Sequence, residues 1–271
     1  MSHARAAGLS FPERVRQSFG RHAADYERHA QLQQAMAWRL ARLCRELPLP
    51  AGPCADLGAG SGLLSRALVQ QHPQLPQRPL RQLDLCPELL ACNPLATAAN
   101  GPSDGIIWDL NSGLPDGLRQ AALLVSSFAL QWLEQPARQL ALWCRGLAPG
   151  GWLVLAVPTA GSFPQWREAA QQADVPCSAL CLPDAQALID TVSAQGLTTH
   201  ACELLRFSRP NQGGLETMRH LRQLGASASH QAPLTAGQLR RLLRHWPAAA
   251  PLTWEILLLI ARRQPVQAAA P

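Results

Sequence analysis

Apolar and polar positions along this chain follow two periods. From 13 to 46 apolar side chains recur at Val15, Phe19, Ala23 and Tyr26, then at Leu32, Met36, Leu40 and Leu43. That spacing of three to four predicts helix. "PLPAGP" (48–53) ends it, and a very short strand leads into "CADLGAGSG" (54–62). "LLSRALVQQ" then predicts helix, "PQLPQRP" (73–79) a loop, and "LRQLDL" (80–85) a strand. A proline within "ACNPLATAANGPSDG" (91–105) predicts a short helix there. "GIIWDL" (105–110) predicts a third strand, and the apolar run "AALLVSSFALQWL" (121–133) a central strand buried on both faces. A helix (136–147) precedes "APGGWLVLAVP" (148–158), a turn and a further strand.

Strands and helices therefore alternate from 54 to 157, the pattern of an α/β fold with a parallel sheet and helices on both faces. The pattern changes after 160. Helices are predicted at about 163–174, 184–195, 213–223 and 235–245, with strands at about 199–207 and 252–262. The run "ILLLIA" (256–261) is far shorter than the about 20 residues that span a bilayer, and reads as a buried strand. The division expected is an N-terminal helical segment (1–46) acting as a lid, a core (47–160), a substrate-side segment carrying the last two strands (161–263) and a loose tail (264–271).

The 271 residues, 47% of them apolar, suit one α/β domain with additions. Eight cysteines are scattered through mostly apolar stretches; only Cys177 and Cys181 are close, and no second pair completes a zinc site. They read as reduced thiols of a cytoplasmic protein. The N-terminus has no apolar signal-peptide core. The net charge is +6 and every Lys/Arg position is arginine, which reads either as a compositional bias with a solvated basic surface or as a match to an acidic partner or substrate. No basic run is interleaved with aromatics, so neither nucleic acid nor membrane is expected. Arg240, Arg241 and Arg244 share a helical spacing that either docks an acidic carrier or is a solvated face.

The glycine turn carries the chemistry. Gly58, Gly60 and Gly62 stand at every second position, two residues after Asp56. In an open α/β sheet the loop after the first strand faces the ligand, and glycines let its backbone approach closely. The spacing departs from the Gly-x-Gly-x-x-Gly of dinucleotide binders, and no Gly-Lys-Ser/Thr follows as in a P-loop. Asp84 ends the second strand, placed to bind ribose hydroxyls. Asp109 ends the third.

Asp-x-Gly-x-Gly-x-Gly, these strand-end acids and "LAPGGWLVLAV" together resemble the class I S-adenosylmethionine-dependent methyltransferases. The resemblance implies a Rossmann-like, mostly parallel seven-stranded sheet with helices on both faces. It implies S-adenosylmethionine as co-substrate, held by Asp56, Gly58, Ala59, Gly60, Gly62, Asp84, Leu85, Asp109, Leu110 and Ser126.

The flanks are more specific. "VRQSFGRHAADYERHAQLQQ" (15–34), "SSFALQWLEQP" (126–136), "TMRHLRQLGAS" (217–227) and "PLTWEILLLIARR" (251–263) resemble the malonyl-[acyl-carrier protein] O-methyltransferases of biotin synthesis. That resemblance implies methyl transfer to the free carboxylate of a malonyl thioester, on acyl carrier protein or coenzyme A. An ionised carboxylate needs no general base. Tyr26 of the lid, Gln131 and Trp132 after the fourth strand, and Arg219 or Arg222 as a carboxylate clamp are the positioning candidates; for each, an ordinary core or solvated role competes. "SALCLP" (178–183) departs from the polar or basic and aromatic pair expected before Leu-Pro. Competing functions are a methyltransferase of another small acid or quinone precursor, and a non-catalytic assembly factor; the intact glycine loop argues against the latter. The sequence leaves the oligomeric state open, a monomer among the options.

Overall fold

A computed structural model describes residues 9–97, 105–210, 213–247 and 251–265. The first eight residues, most of the tail and part of the 91–105 loop therefore lie outside the described residues.

The N-terminal stretch is three helices, not the single one expected over 13–46. The first, α1 (Phe11–Gly20), starts at a capping box in which Ser10 and Glu13 satisfy each other's backbone N–H, with a proline in its first turn. A 3₁₀ turn (Ala23–Asp25) leads into α2 (Tyr26–His29). Ala30, with ψ of 37°, then breaks the helical path before α3 (Gln31–Cys44). Apolar periodicity survives both breaks because each piece packs inward, so the period alone could not reveal them.

The core begins with β1 (Cys54–Leu57), α4 (Leu63–Gln71), β2 (Leu80–Asp84), a five-residue α5 (Pro87–Ala91) and β3 (Gly105–Ile107). The strand expected through 110 stops at Ile107, because Asp109 turns to accept the backbone N–H of Asn111 and opens a 3₁₀ turn. Next come β4 (Ala121–Ser127), α6 (Pro136–Gly146), β5 (Leu147–Pro158), α7 (Pro164–Gln172) and α8 (Ala185–Ala194). The strand expected through 133 ends at Ser127: Phe128 takes a left-handed φ of 56°, and a 3₁₀ turn holds Leu130–Trp132. The chain closes with β6 (Leu197–Arg209), α9 (Gly214–Gln223), α10 (Ala236–Arg244) and β7 (Leu252–Arg263).

The seven strands form one sheet in the order β3-β2-β1-β4-β5-β7-β6. Pairing is parallel from β3 to β5, while β7 runs antiparallel to both β5 and β6. One core joins α3 and α4 to the sheet through Met36, Leu40, Leu68, Leu123 and Val154. The other lies under α6 and α8, with Leu124, Leu140, Trp143, Leu153 and Val192. The run 256–261 is fully buried in β7, as expected of a strand covered on both faces. Among the described residues no helix is long and apolar enough to cross a membrane, and no cluster of His, Cys, Asp and Glu could hold a metal. All eight cysteines are free.

Strand order reverses beside β1, between β2 and β4, so the loops after β1, β2 and β4 frame one crevice at the carboxyl ends of the strands. The helices α1 and α2 lie over it: α1 packs against α5, and Arg66 of α4 grips Glu27 of α2 at 2.5 Å.

Candidate active site

The glycine loop is shaped by its own backbone. Gly58 and Ala59 both donate to the Leu83 carbonyl at 2.8 Å, which ties the loop to β2. Gly58 has a φ of +81°, and a Cβ there would run into Ala129. Gly60, at +53°, is different: a Cβ would meet only ordinary contacts, so glycine there answers the left-handed backbone rather than a neighbour. Its N–H donates to Asp84 Oδ2 at 2.7 Å, while Cys86 N donates to Oδ1 at 2.8 Å. Two backbone donors thus fix the Asp84 carboxylate at the rim of the crevice.

Two carboxylates sit in this low-dielectric pocket. Asp56 is buried and accepts from Ser65 Oγ at 2.7 Å. Burial pushes its pKa up to about 7, and the negative charge of Asp84 adds to that push against the Ser65 hydrogen bond. Burial likewise raises Asp84 to about 6, with its backbone donors holding it down. Tyr26 projects from α2 toward them. Burial, then the charges of Asp84 and Glu27, push its phenol above the usual range, so it stays a neutral hydroxyl.

The crevice is lined by Asp56, Gly58, Ala59, Gly60, Asp84, Leu85, Asp109, Leu110 and, from the lid, Phe19, Tyr26 and Gln33. Two residues expected here lie elsewhere. Gly62 is buried behind the loop as the N-cap of α4, where a Cβ would strike the Asn93 amide. Ser126 points away and donates to the Leu57 carbonyl at 2.7 Å; its neighbour Ser127 lines the crevice instead. Alternation along β4 decides which of the two faces in, and a one-residue error selects the wrong one. Asp109 is on the wall, with Oδ1 accepting from both the backbone and side-chain N–H groups of Asn111 at 2.9 Å.

These residues fit S-adenosylmethionine. The hydroxyls of Ser61 and Ser127 line the crevice, are buried and have no hydrogen-bond partner in the protein, so a polar ligand would satisfy them. Leu85, Leu89 and Leu110 give apolar walls for a flat ring.

A second cavity of about 800 Å³ adjoins the crevice. Phe19, Tyr26, Gln33, Phe128 and Trp132 line both. Phe19 meets Tyr26 and Trp132 edge-to-face, with ring centroids 6.2 and 5.4 Å apart. Gln131 lines the second cavity, its Nε2 donating to the Phe128 carbonyl at 2.7 Å and its Oε1 buried without a partner. Arg14 and Arg222 are the exposed cations of the rim. Arg219 is not in either cavity; it is exposed and paired with Glu216. Arg240, Arg241 and Arg244 on α10 also lie outside both. Ala179 and Leu180, from the departing segment, form part of the second cavity's wall, whereas Cys181 is exposed.

Sequence reading missed Phe19, Gln33, Phe128 and Ser127 as lining residues. Phe19 and Gln33 carried a signal, since both fall in the N-terminal stretch that bears the family resemblance. Ser127 and Phe128 fall in the stretch 126–136, which bears that resemblance too, but inside an apolar run the hydropathy of Phe128 alone is indistinguishable from core.

Residues 55–155 match the family model described as "Methyltransferase domain". The chain is 32% identical over 230 residues to a biotin biosynthesis bifunctional protein of Bordetella avium, covering 83% of this chain and 47% of that one. It is 30% identical over 259 residues to a malonyl-[acyl-carrier protein] O-methyltransferase of Enterobacter lignolyticus, covering 92% of this chain and 96% of the relative. In two of the matched relatives, the bifunctional protein among them, the chain spans about half the length. Its fold is similar to that of the N-methyltransferase NodS of Bradyrhizobium japonicum, solved with S-adenosyl-L-homocysteine, at a TM-score of 0.55 and 15% identity, covering 92% of this chain and 98% of that one. The chain therefore belongs to the malonyl-[acyl-carrier protein] O-methyltransferase family of S-adenosylmethionine-dependent methyltransferases.

Proposed function

We propose that this protein transfers a methyl group from S-adenosylmethionine to the free carboxylate of a malonyl thioester on acyl carrier protein, and that the methyl ester so formed primes pimeloyl assembly for biotin. Besides the family match, the continuity of the two cavities across one aromatic seam supports this reading. It lets donor and acceptor meet out of water.

When bound, S-adenosylmethionine supplies an activated methyl on a sulfonium. The protein's residues hold and orient. A malonate carboxylate, with a pKa of about 4, is ionised at neutral pH and attacks without a general base. Catalysis is then proximity, alignment and exclusion of water. The glycine loop and Asp84 fix the donor side. Phe19, Phe128 and Trp132 wall the junction. The neutral hydroxyl of Tyr26 donates to the acceptor carboxylate there without drawing its full charge. Arg222 and Arg14 attract the anion at the rim, and Arg14 is itself held by the carbonyls of Leu9 and Ser229 at 3.0 and 3.3 Å. Arg240, Arg241 and Arg244 offer an acidic carrier a basic face.

The acceptor wall separates this reading from methylation of a free polyacid. Ala179, Leu180, Leu182, Met218 and Leu221 present apolar surface. That suits a thioester and its arm. A tricarboxylate would press charges against it without partners. The test is intact-mass spectrometry of malonyl-acyl carrier protein incubated with the protein and S-adenosylmethionine, beside malonyl-CoA and free malonate. A gain of one methyl group, strongest on the carrier, is expected. No gain on the carrier despite demonstrated cofactor binding overturns the proposal.

A further inference from the structure

A third cavity, of about 370 Å³, is walled by Arg28 and His29 of α2, Gln31, Arg209 and Pro210 at the end of β6, and His220 of α9. No carboxylate is among these lining residues. Arg28 pairs with Asp25 at 2.8 Å, but with its side chain 80% exposed it stays free to reorient. The Arg209 guanidinium lies over the ring of Trp254, 5.7 Å from its centroid. The rings of His29 and His220 meet edge-on at 6.3 Å. Burial foremost, then the charges of Arg209 and His29, hold the pKa of His220 down to about 4, so its imidazole is neutral. A neutral imidazole there still offers one N–H.

The position of this cavity adds meaning to its charge. Arg28 and His29 follow Tyr26, which lines both the crevice and the acceptor cavity. On α9, Met218 and Leu221 flank His220 and face the acceptor cavity, as does Trp254 beneath Arg209. Among the described residues none lines both the basic cavity and the acceptor cavity, but neighbouring residues of α2 and α9 line one or the other, so the two lie next to each other across those helices.

We infer that the basic cavity is a phosphate site, and that it holds the phosphate of the phosphopantetheine arm whose malonyl end enters the acceptor cavity. This rests on the malonyl-thioester reading above. A phosphate accepts from guanidinium groups in bidentate geometry, with charge-assisted bonds stronger than neutral ones. The same phosphate is present on carrier protein and on coenzyme A, so the site recognises the arm rather than its bearer.

The test titrates the full chain, saturated with S-adenosylhomocysteine so that no methyl is transferred, with malonyl-pantetheine and with malonyl-phosphopantetheine by calorimetry. The phosphorylated arm should bind roughly 10-fold tighter, the size expected for hydrogen bonds to a charged group. That advantage should shrink as salt is raised. Arg209→Gln, and separately the exposed Arg28→Gln, should remove the advantage while leaving the affinity for the phosphate-free arm unchanged; a merely structural role would weaken both arms alike. Equal affinities for the two arms overturn the inference. So does loss of the advantage in Arg222→Gln but not in Arg209→Gln, which would move the phosphate to the acceptor rim. Methyl transfer to malonyl-acyl carrier protein with no preference between arms would sink the phosphate site alone. A preference between arms with no methyl transfer would sink the malonyl reading alone.

Discussion

The cofactor crevice and the acceptor cavity touch along one aromatic seam, but they are built in opposite ways. The crevice takes most of its polar atoms from one stretch, Asp56 to Asp109, at the ends of consecutive parallel strands, joined by Ser127 at the end of β4 and by Tyr26 and Gln33 of the lid. Backbone N–H groups and two carboxylates, Asp56 and Asp84, line it at the ends of parallel strands, so its lining is tied to the topology of the sheet. The acceptor cavity takes its walls from α1, the turn after β4, the loop before α8, α9 and β7. No strand order dictates which residues those segments carry. Evolution can change the acceptor by changing segments that hang from the sheet, while the donor site stays fixed by it. If that contrast is right, damage on the crevice side should abolish donor binding outright, and damage on the acceptor side should leave it intact.

The largest effect expected is at Gly60. A valine there must adopt a φ of +53°, costly for a β-branched residue. It would also displace the N–H that fixes Asp84 at 2.7 Å. Gly60→Val should weaken S-adenosylhomocysteine binding at least 100-fold in a calorimetric titration, consistent with loss of two or more charged hydrogen bonds at about 1.5–3 kcal/mol each. Circular dichroism should stay native. Asp56→Ala should also abolish binding. Unchanged affinity in both variants would break the assignment of this loop to the cofactor.

On the acceptor side, Trp132 stands between the cavities, with Phe19 edge-on at 5.4 Å. Trp132→Ala should lower kcat by about 10- to 100-fold, the range seen when a reacting group loses about 1 Å of alignment. Affinity for S-adenosylhomocysteine should change far less than in Gly60→Val. If both fall together, the seam belongs to the donor site and the contrast drawn above is lost.

The two raised carboxylates sharpen the comparison through pH. Asp56 and Asp84 have folded pKa values of about 7 and about 6, above their ordinary value of 3.8. A group raised on folding adds stability that is full below its unfolded pKa and lost as pH rises through its folded one. The ligand-free protein should therefore lose stability from these two groups between about pH 4 and 7. Binding that needs an ionised Asp84 should tighten over the upper part of that window. Melting curves with and without S-adenosylhomocysteine from pH 5 to 8 should show a growing ligand-induced rise in Tm, flattened in Asp84→Asn. A rise independent of pH would mean that the carboxylate is ionised throughout or makes no contact with the ligand.

The same contrast explains what could be read from the sequence. The sheet, its crossover pattern and the acids at strand ends were legible because parallel strands covered on both faces make unbroken apolar runs, and because the fold places their last residues at the ligand. Run length was misleading at β4, where Phe128 turns the chain with a left-handed φ while remaining apolar. Ser126 and Ser127 both end β4, and only the pleat turns Ser127 rather than the expected Ser126 into the crevice. Gly62 looked equivalent to Gly58 and Gly60, yet it serves the start of α4. The acceptor wall was legible in part: Tyr26, Gln131, Trp132 and Arg222 line it, while its other, mostly apolar residues are spread over most of the chain, and nothing local marked Arg222 rather than Arg219 as facing a cavity.

Arg219 and Arg222 make that last point testable with the smallest expected effect. They are three residues apart on α9, carry the same charge and were equal candidates for the carboxylate clamp. Arg222 lines the acceptor rim; Arg219 is exposed and paired with Glu216. An exposed ion pair of this kind is worth about 0–1 kcal/mol, and salt screens it. Arg219→Ala should therefore leave KM for malonyl-acyl carrier protein within about 2-fold of the parent, whereas Arg222→Ala should raise it several-fold, by about 1 kcal/mol for a rim charge. Both should leave kcat at saturating substrate nearly unchanged, because neither touches the methyl-transfer junction. Steady-state kinetics on the two variants side by side decides the matter. A larger KM effect for Arg219 would mean that α9 turns its other face to the substrate when the carrier docks, and the acceptor cavity as drawn would not be the one used in turnover.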